Sequence, residues 1–322
     1  MTAPTTIPTA FDIDKIRQDF PILHQEIHGR PLVYFDNAAT SQKPRAVIES
    51  ITAYYDQYNS NVHRGVHQLS DESTTAYEQA HRRIASFFGA EDEEFIQTRN
   101  TTEAINAVRY GWADHVLDRG DVILLTLMEH HSNLVMWQQV AEQTGAVVEF
   151  VRVTDDGLLD MEDLELKLRD NPVRLVSLVH VSNTLGSLVD LESVARLKAT
   201  HAPDAKLLVD AAQSAPHLSL NFEKLQRLGG SAVQGVDFLS FSGHKMLGPM
   251  GVGGLLVRRS LLEEEQLRPW IFGGGMIADV KQRETTFHHD LCERFVAGTP
   301  DVASLVGLAA ACEYLDAIGM EA

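Results

Sequence analysis

Between residues 121 and 258 the chain repeats one pattern: a short, near-continuous apolar run, then a polar break. The runs are DVILLTLM (121–128), AVVEFVRV (146–153), VRLVSLVHV (173–181), KLLVDAA (206–212), DFLSFS (237–242) and VGGLLVR (252–258). Most do not alternate apolar with polar residues, so they read as strands covered on both faces. HSNLVMWQQVAEQTG (131–145) and LESVARLKATHA (191–202) carry apolar residues at helical spacing between them. Strand and helix in alternation predict an α/β domain with a mostly parallel sheet covered by helices on both faces. In such sheets ligands collect at the carboxyl ends of the strands.

The chemically reactive residues fall there. MEHHSN (128–133) follows the first run, VSNTLG (181–186) the third, DAAQS (210–214) the fourth and SGHK (242–245) the fifth. A lysine at a buried strand end, Lys245, has its ammonium form disfavoured by desolvation, and its free amine can form a Schiff base with a carbonyl. A lone lysine there reads more readily as a surface residue in a turn. Asp210 ends the apolar LLVD, where a carboxylate needs a cation. Alone it fits a helix cap or a core ion pair. Beside a Schiff-base lysine it suits the ring nitrogen of a pyridine cofactor. In RNTTEAINAVRYGW (99–112), Asn100 and Glu103 fit an N-cap and its partner, so a helix should begin there. Its free N–H groups, with the hydroxyls of Thr101 and Thr102, suit a phosphate.

No metal site is expected. His130 and His131 are adjacent and point in different directions, and Gly65 weakens a helical reading of His63 and His67. HHD (288–290) reads as a solvated loop. GPMGVGG (248–254) matches neither a dinucleotide fingerprint nor a P-loop, and reads as a turn into the next strand. Close backbone approach to a ligand is the weaker signal in Gly273, Gly274 and Gly275.

The 322 residues are 44% hydrophobic, enough for a sizeable core, with 27 Lys and Arg against 45 Asp and Glu, a net charge of −18. That balance argues against nucleic acid and anionic membrane surfaces as partners. No apolar run reaches the roughly 18 residues of a membrane span. Two cysteines, Cys292 and Cys312, without CxxC spacing, suit a reducing compartment, and the expected location is cytoplasmic. Residues 1–10 read as a disordered tail. FDIDKIRQDFPIL reads as a short helix capped by Asp12 and ended by Pro21.

Taken together, these residues resemble the class V branch of the fold-type I pyridoxal-phosphate enzymes. The resemblance is greatest to the SUF-type (group II) cysteine desulfurases and selenocysteine lyases. It is carried by YFDNAATSQKP (34–44), NVHRGVHQLS (61–70), TRNTTEAIN (98–106), MEHHSNLVMWQ (128–138), HVSNTLG (180–186), VDAAQS (209–214), SGHKMLGPMGVGG (242–254), GGGMI (273–277) and FVAGTPD (295–301). It runs from about residue 11 to the end, and motifs in this number and order are highly specific.

The resemblance implies pyridoxal 5'-phosphate as cofactor, with Lys245 as its Schiff-base lysine and later the base for the substrate α-proton. It places Asp210 at the pyridinium nitrogen, Gln213 at the ring hydroxyl, Asn183 near that hydroxyl and the substrate, and His130 stacked on the ring. Thr102, Ser242 and His244 would hold the phosphate. Family members are homodimers, and Thr299 matches a position that reaches the other subunit's phosphate, with His63 and Arg64 lining the shared pocket. The implied reaction takes L-cysteine to L-alanine and leaves an enzyme persulfide, whose sulfur passes to an acceptor protein for iron–sulfur cluster assembly.

The same resemblance divides the chain into an N-terminal segment (1–19), a large cofactor domain (20–300) and a helix (301–322) leading into a small C-terminal domain. The family's nucleophilic cysteine and a carboxylate-clamping arginine belong to that small domain, so a chain without them is expected. Cys312 lies in an apolar helical pattern and reads as core, and Cys292 does not stand at the nucleophile position. The alternatives are another class V reaction (selenocysteine lyase, aminotransferase or β-eliminating lyase) or a chain that binds the cofactor without turnover.

Overall fold

The computed structural model describes residues 12–63, 65–230 and 235–321. The expected disordered tail, residues 1–10, and Arg64 lie outside them. The six apolar runs all form strands: Val122–Thr126 (β2), Val147–Val151 (β3), Val173–Val179 (β4), Lys206–Asp210 (β5), Phe238–Ser242 (β6) and Gly253–Val257 (β7). A further strand, Phe95–Thr98 (β1), precedes them, and the order across the sheet is β1-β7-β6-β5-β4-β2-β3. Neighbours from β3 through β6 are parallel, and β7 runs antiparallel to both β6 and β1. The expected mostly parallel sheet is therefore present, with an antiparallel margin.

Several strands stop short of their apolar runs. Leu127 and Met128, His180 and Val181, and Ala211 and Ala212 leave the ladder and turn at the carboxyl ends. Side chains of β5 serve two cores. Leu207 and Val209 pack with Ile84 and Leu308 on one face, while Leu208 packs with Ile105 and Trp137 on the other. The helices that cover the sheet include Arg45–Ala53 (α1), Gln68–Phe87 (α2), Thr101–Val108 (α3), Val135–Thr144 (α4), Met161–Asp170 (α5), Leu191–His201 (α6) and Val302–Ile318 (α7). The last packs on α1 and α2 and buries Leu305, Leu308 and Cys312 completely. Burying each such leucine contributes about 1.5–3 kcal/mol.

Local chemistry sets the helix starts. Asn100, Asp160, Asp190 and Asp301 each accept from the backbone N–H three residues on, as N-caps do. Asp12 caps the first short helix as expected, but that helix ends at Gln18. Pro21 opens a separate 3-10 turn instead, the position where a missing N–H costs nothing. The helical pattern 131–145 also splits, into a 3-10 turn His131–Asn133 and α4, because His130 caps the turn with its own ring. HHD is more structured than a solvated loop: Asp290 caps the helix Leu291–Arg294 and His288 pairs with Glu293. No helix among the described residues is long and apolar enough to cross a membrane.

Candidate functional site

Six segments meet at the carboxyl ends of the central strands. Asp210 closes β5 and is 2% exposed. Its Oδ1 accepts from the Ala212 N–H at 2.9 Å; no cation pairs with it among the described residues. Burial pushes its carboxyl up to about 6, against the opposing pull of the Lys245 charge. Lys245 lies in the 3-10 turn Gly243–Lys245 that leaves β6. Desolvation lowers its pKa, and Asp210 opposes that shift. The two groups thus feel each other without closing an ion pair.

The anion end is built from β6 and α3. Ser242 Oγ accepts from the Thr101 N–H at 2.9 Å and lies 3.0 Å from Thr101 Oγ1, both buried. Thr101 is therefore turned inward to Ser242, while Thr102, exposed in the same first turn, sets its Oγ1 2.7 Å from Ser132 Oγ. Glu103, expected to complete a capping box with Asn100, instead bonds Arg99. A Cβ on Gly253 would stand 2.9 Å from Asn100 Cα, so only glycine lets β7 pass this close to the start of α3.

His130 presents an exposed ring whose Nδ1 is held by Ser132, from the N–H at 3.1 Å and the hydroxyl at 2.9 Å. Its pKa is lowered by burial, then by the charges of Lys245 and His131. Beneath it Glu129 is buried, accepting from Thr126 Oγ1 and Asn133 Nδ2, both at 2.7 Å. Asn133 Oδ1 in turn accepts from Trp137 Nε1 at 3.0 Å and from Ser177 Oγ at 2.5 Å. Burial pushes the Glu129 carboxyl up to about 8. This network anchors the turn that carries His130.

Residues 36–43 strap the site from the far side of the sequence. Gln213 Nε2 donates to the Ala38 carbonyl at 2.8 Å. The His244 carbonyl accepts from the Ser41 N–H and hydroxyl and the Thr40 hydroxyl, each at 3.1 Å, and from Lys43 Nζ at 3.0 Å. Ser41 Oγ also accepts from the Leu247 N–H at 2.9 Å, where Leu247 takes a left-handed φ of 66°. The strap holds in place a strained turn that a non-glycine residue adopts only at a cost of about 1–3 kcal/mol. Desolvation lowers Lys43 to about 8.

Asn183 is exposed after β4 and, among the described residues, its side chain bonds its neighbour Thr184, at 3.3 Å. His180, at the end of β4, is buried, lowered to about 4 by desolvation, and its Nδ1 has no partner among the described residues. Thr299 stands apart. It lines a cavity of about 760 Å³ with His63, Tyr77, His81, Gly275 and Cys292, and none of the strand-end residues reaches that cavity. That cavity and the chemical cluster are therefore different places. The unpaired Asp210 and Lys245 mark the cluster as the reactive one.

Residues 33–322 match the model of the family described as aminotransferase class-V. The chain belongs to that family. Its relatives within the class-V family include a cysteine desulfurase of Haloferax volcanii, 46% identical over 324 residues, which span 96% of this chain and 72% of the relative. The apo structure of a cysteine desulfurase from Thermococcus onnurineus NA1 matches with TM-score 0.85 and 38% identity, over 99% of this chain and 73% of that one. A C-DES mutant with glycine covalently linked to its PLP cofactor matches with TM-score 0.79 and 26% identity, over 94% and 74%.

Pyridoxal phosphate is the cofactor of this class-V chain, and the open groups fit it. Asp210 is a fully buried carboxylate that has one N–H and lacks a cation, which a protonated ring nitrogen supplies. Among the described residues Lys245 Nζ has no hydrogen bond to compete with a covalent one, and Thr102 sits at a helix N-terminus suited to phosphate.

The sequence singled out Lys245, Asp210, Thr101, Thr102, Ser242, His244, His130, Gln213 and Asn183, and all lie at these strand ends. Thr40, Ser41 and Lys43 were visible only inside a quoted motif, with no signal of their own. Glu129 and Ser132 were overlooked beside the more conspicuous histidines. An acidic residue inside an apolar strand end, as for Asp210, was the signal that could have found Glu129.

Proposed function

We propose that the chain is a pyridoxal-phosphate-dependent cysteine desulfurase, taking L-cysteine to L-alanine and passing the sulfur to a thiol. The observation that carries this reading is the open pair of Asp210 and Lys245 at the strand ends, in a chain similar to proteins named cysteine desulfurase. Bound there, the cofactor supplies an electron sink for the substrate's α-carbon. Asp210 keeps a proton on the ring nitrogen. Lys245 would hold the cofactor through Nζ and, when free, would take the substrate's α-proton at that atom. Desolvation lowers its pKa, which favours the free amine that this role needs.

His130 would stack on the ring, Gln213 and Asn183 would face the ring hydroxyl, and Thr102, Ser242 and His244 would hold the phosphate, with Thr101 anchoring Ser242. Thr299 lies away from its own chain's cluster, beside His63, which supports a homodimer in which it reaches the second copy's phosphate. The sulfur balance is one thiol plus cysteine giving one persulfide plus alanine. The persulfide's sulfur then passes to an acceptor protein in the cytoplasm, for iron–sulfur cluster assembly.

One observation favours a second reading, a C–S lyase. The chain's own thiols are poor sulfur carriers: burial, then Asp290, pushes Cys292 up to about 12, and burial pushes Cys312 up as well. The purified chain, reconstituted with pyridoxal phosphate and supplied with L-cysteine and dithiothreitol, separates the two. Alanine with sulfide supports desulfuration; pyruvate, ammonia and sulfide support β-elimination. Lys245→Ala should lose the yellow bound cofactor and lower either rate by roughly 10²–10⁴-fold. An unchanged spectrum and rate in that variant would remove Lys245 from the mechanism.

A further inference from the structure

Thr102, Ser132 and His130 are joined by short contacts running from the first turn of α3 to the exposed imidazole. Thr102 Oγ1 lies 2.7 Å from Ser132 Oγ, which lies 2.9 Å from His130 Nδ1. A third bond fixes their direction, because the Ser132 backbone N–H donates to the same Nδ1 at 3.1 Å. A backbone N–H can only donate. Nδ1 therefore carries no proton, and the neutral ring bears its proton on Nε2. An unprotonated Nδ1 cannot donate to Ser132, so the Ser132 hydroxyl donates to it. Ser132 Oγ is left as an acceptor, which the Thr102 hydroxyl fills.

We propose that Ser132 is a positioning residue that locks His130 as the Nε2–H tautomer and relays occupancy of the anion site at Thr102 to that imidazole. The relay rests on the assignment of Thr102 to the phosphate; the tautomer lock does not. A phosphate oxygen accepts, so it draws the Thr102 hydroxyl proton toward itself. The contact between Thr102 and Ser132 then stays favourable only if Ser132 turns its proton to Thr102 Oγ1. His130 Nδ1 keeps the backbone N–H alone. A donor to Nδ1 stabilises the neutral ring, so its loss raises the proton affinity of His130. Only hydroxyl protons reorient, and no covalent bond changes. Lys245 from the turn after β6 and His131 from its own turn are the charged groups that act on the ring. Glu129, one residue before it, is turned inward to Thr126 and Asn133.

The test uses the cofactor-free chain with ¹⁵N-labelled histidine, inorganic phosphate as the probe, and His130→Asn to identify the resonance. At neutral pH the long-range ¹H–¹⁵N pattern of His130 should be that of the Nε2–H tautomer. Added phosphate should move its titration upward in the wild type. In Ser132→Ala that upward movement should fall to less than half, and Ser132→Thr should restore it. The field of the phosphate alone would move the titration equally in the wild type and in Ser132→Ala. That result overturns the relay, and an Nδ1–H pattern overturns the lock. Phosphate affinity unchanged in Thr102→Val overturns the phosphate assignment and the relay with it, while the lock stands on its own spectrum.

Discussion

The two ends of strands β5 and β6 hold the same kind of group in opposite states. At the amino end, Asp237 accepts from the Leu207 N–H at 2.8 Å and from Arg258 Nε at 3.0 Å. Arg258 also donates to the carbonyls of Gln226 at 3.2 Å and Val236 at 3.1 Å. At the carboxyl end, Asp210 has one N–H and Lys245 has no hydrogen bond among the described residues. Both aspartates are 2% exposed, so burial does not separate them. Completion does. A buried carboxylate with its cation and donors in place is structure, whereas one left short of a cation is a binding site awaiting it.

The largest expected effect comes from breaking the closed end. Arg258→Leu strands Asp237 without its cation and should cost roughly 3–5 kcal/mol in urea unfolding. A loss under about 1 kcal/mol would mean the pair is not the closed structural element described.

The open end should respond to pH in the opposite sense to an ordinary paired aspartate. Asp210 is raised from 3.8 to about 6 in the folded chain. Its proton therefore favours the cofactor-free fold at low pH, and that contribution is lost as pH rises from about 4 through 6. The loss amounts to about 3 kcal/mol. Glu129, raised from 4.5 to about 8 chiefly by burial, carries the fall on toward pH 8. Asp210→Asn should remove its part of the slope in unfolding measured across pH 4–7, and loading the wild type with cofactor should do the same. A slope unchanged in both would show that Asp210 is not the open acid.

The smallest effect tests the support beneath the site. At pH 5 Glu129→Gln keeps the shape of a neutral side chain and should cost about 1 kcal/mol, the worth of one rearranged hydrogen bond. Glu129→Ala should cost several times more, because Thr126 and Asn133 lose their shared partner. Equal costs for the two variants would argue against the network.

Much of the fold was legible because its signals are local. Six of the seven strands in the main sheet announced themselves by apolar runs. β1 did not, since FIQT is four residues long, interrupted by a glutamine, and pairs only with β7 at the sheet's margin. The runs overshot the strands at the carboxyl ends because hydrophobicity records burial, not ladder pairing. Leu127 is 75% exposed although it continues an apolar run.

The sequence alone determined the alternation that makes a parallel sheet, and with it the edge where reactive side chains gather. It also determined the helix starts at Asn100, Asp160, Asp190 and Asp301, because each cap joins residues three apart. Only the tertiary structure decided which buried charges are closed and which are open. Asp237 meets an arginine 21 residues away, and the His244 carbonyl meets a strap 201 to 204 residues away. Such partners are chosen by strand order and register, which no short window of sequence contains. Ser132 shows both scales at once: its N–H bond to His130 is local, and its hydroxyl contact with Thr102 exists because α3 packs beside the turn after β2.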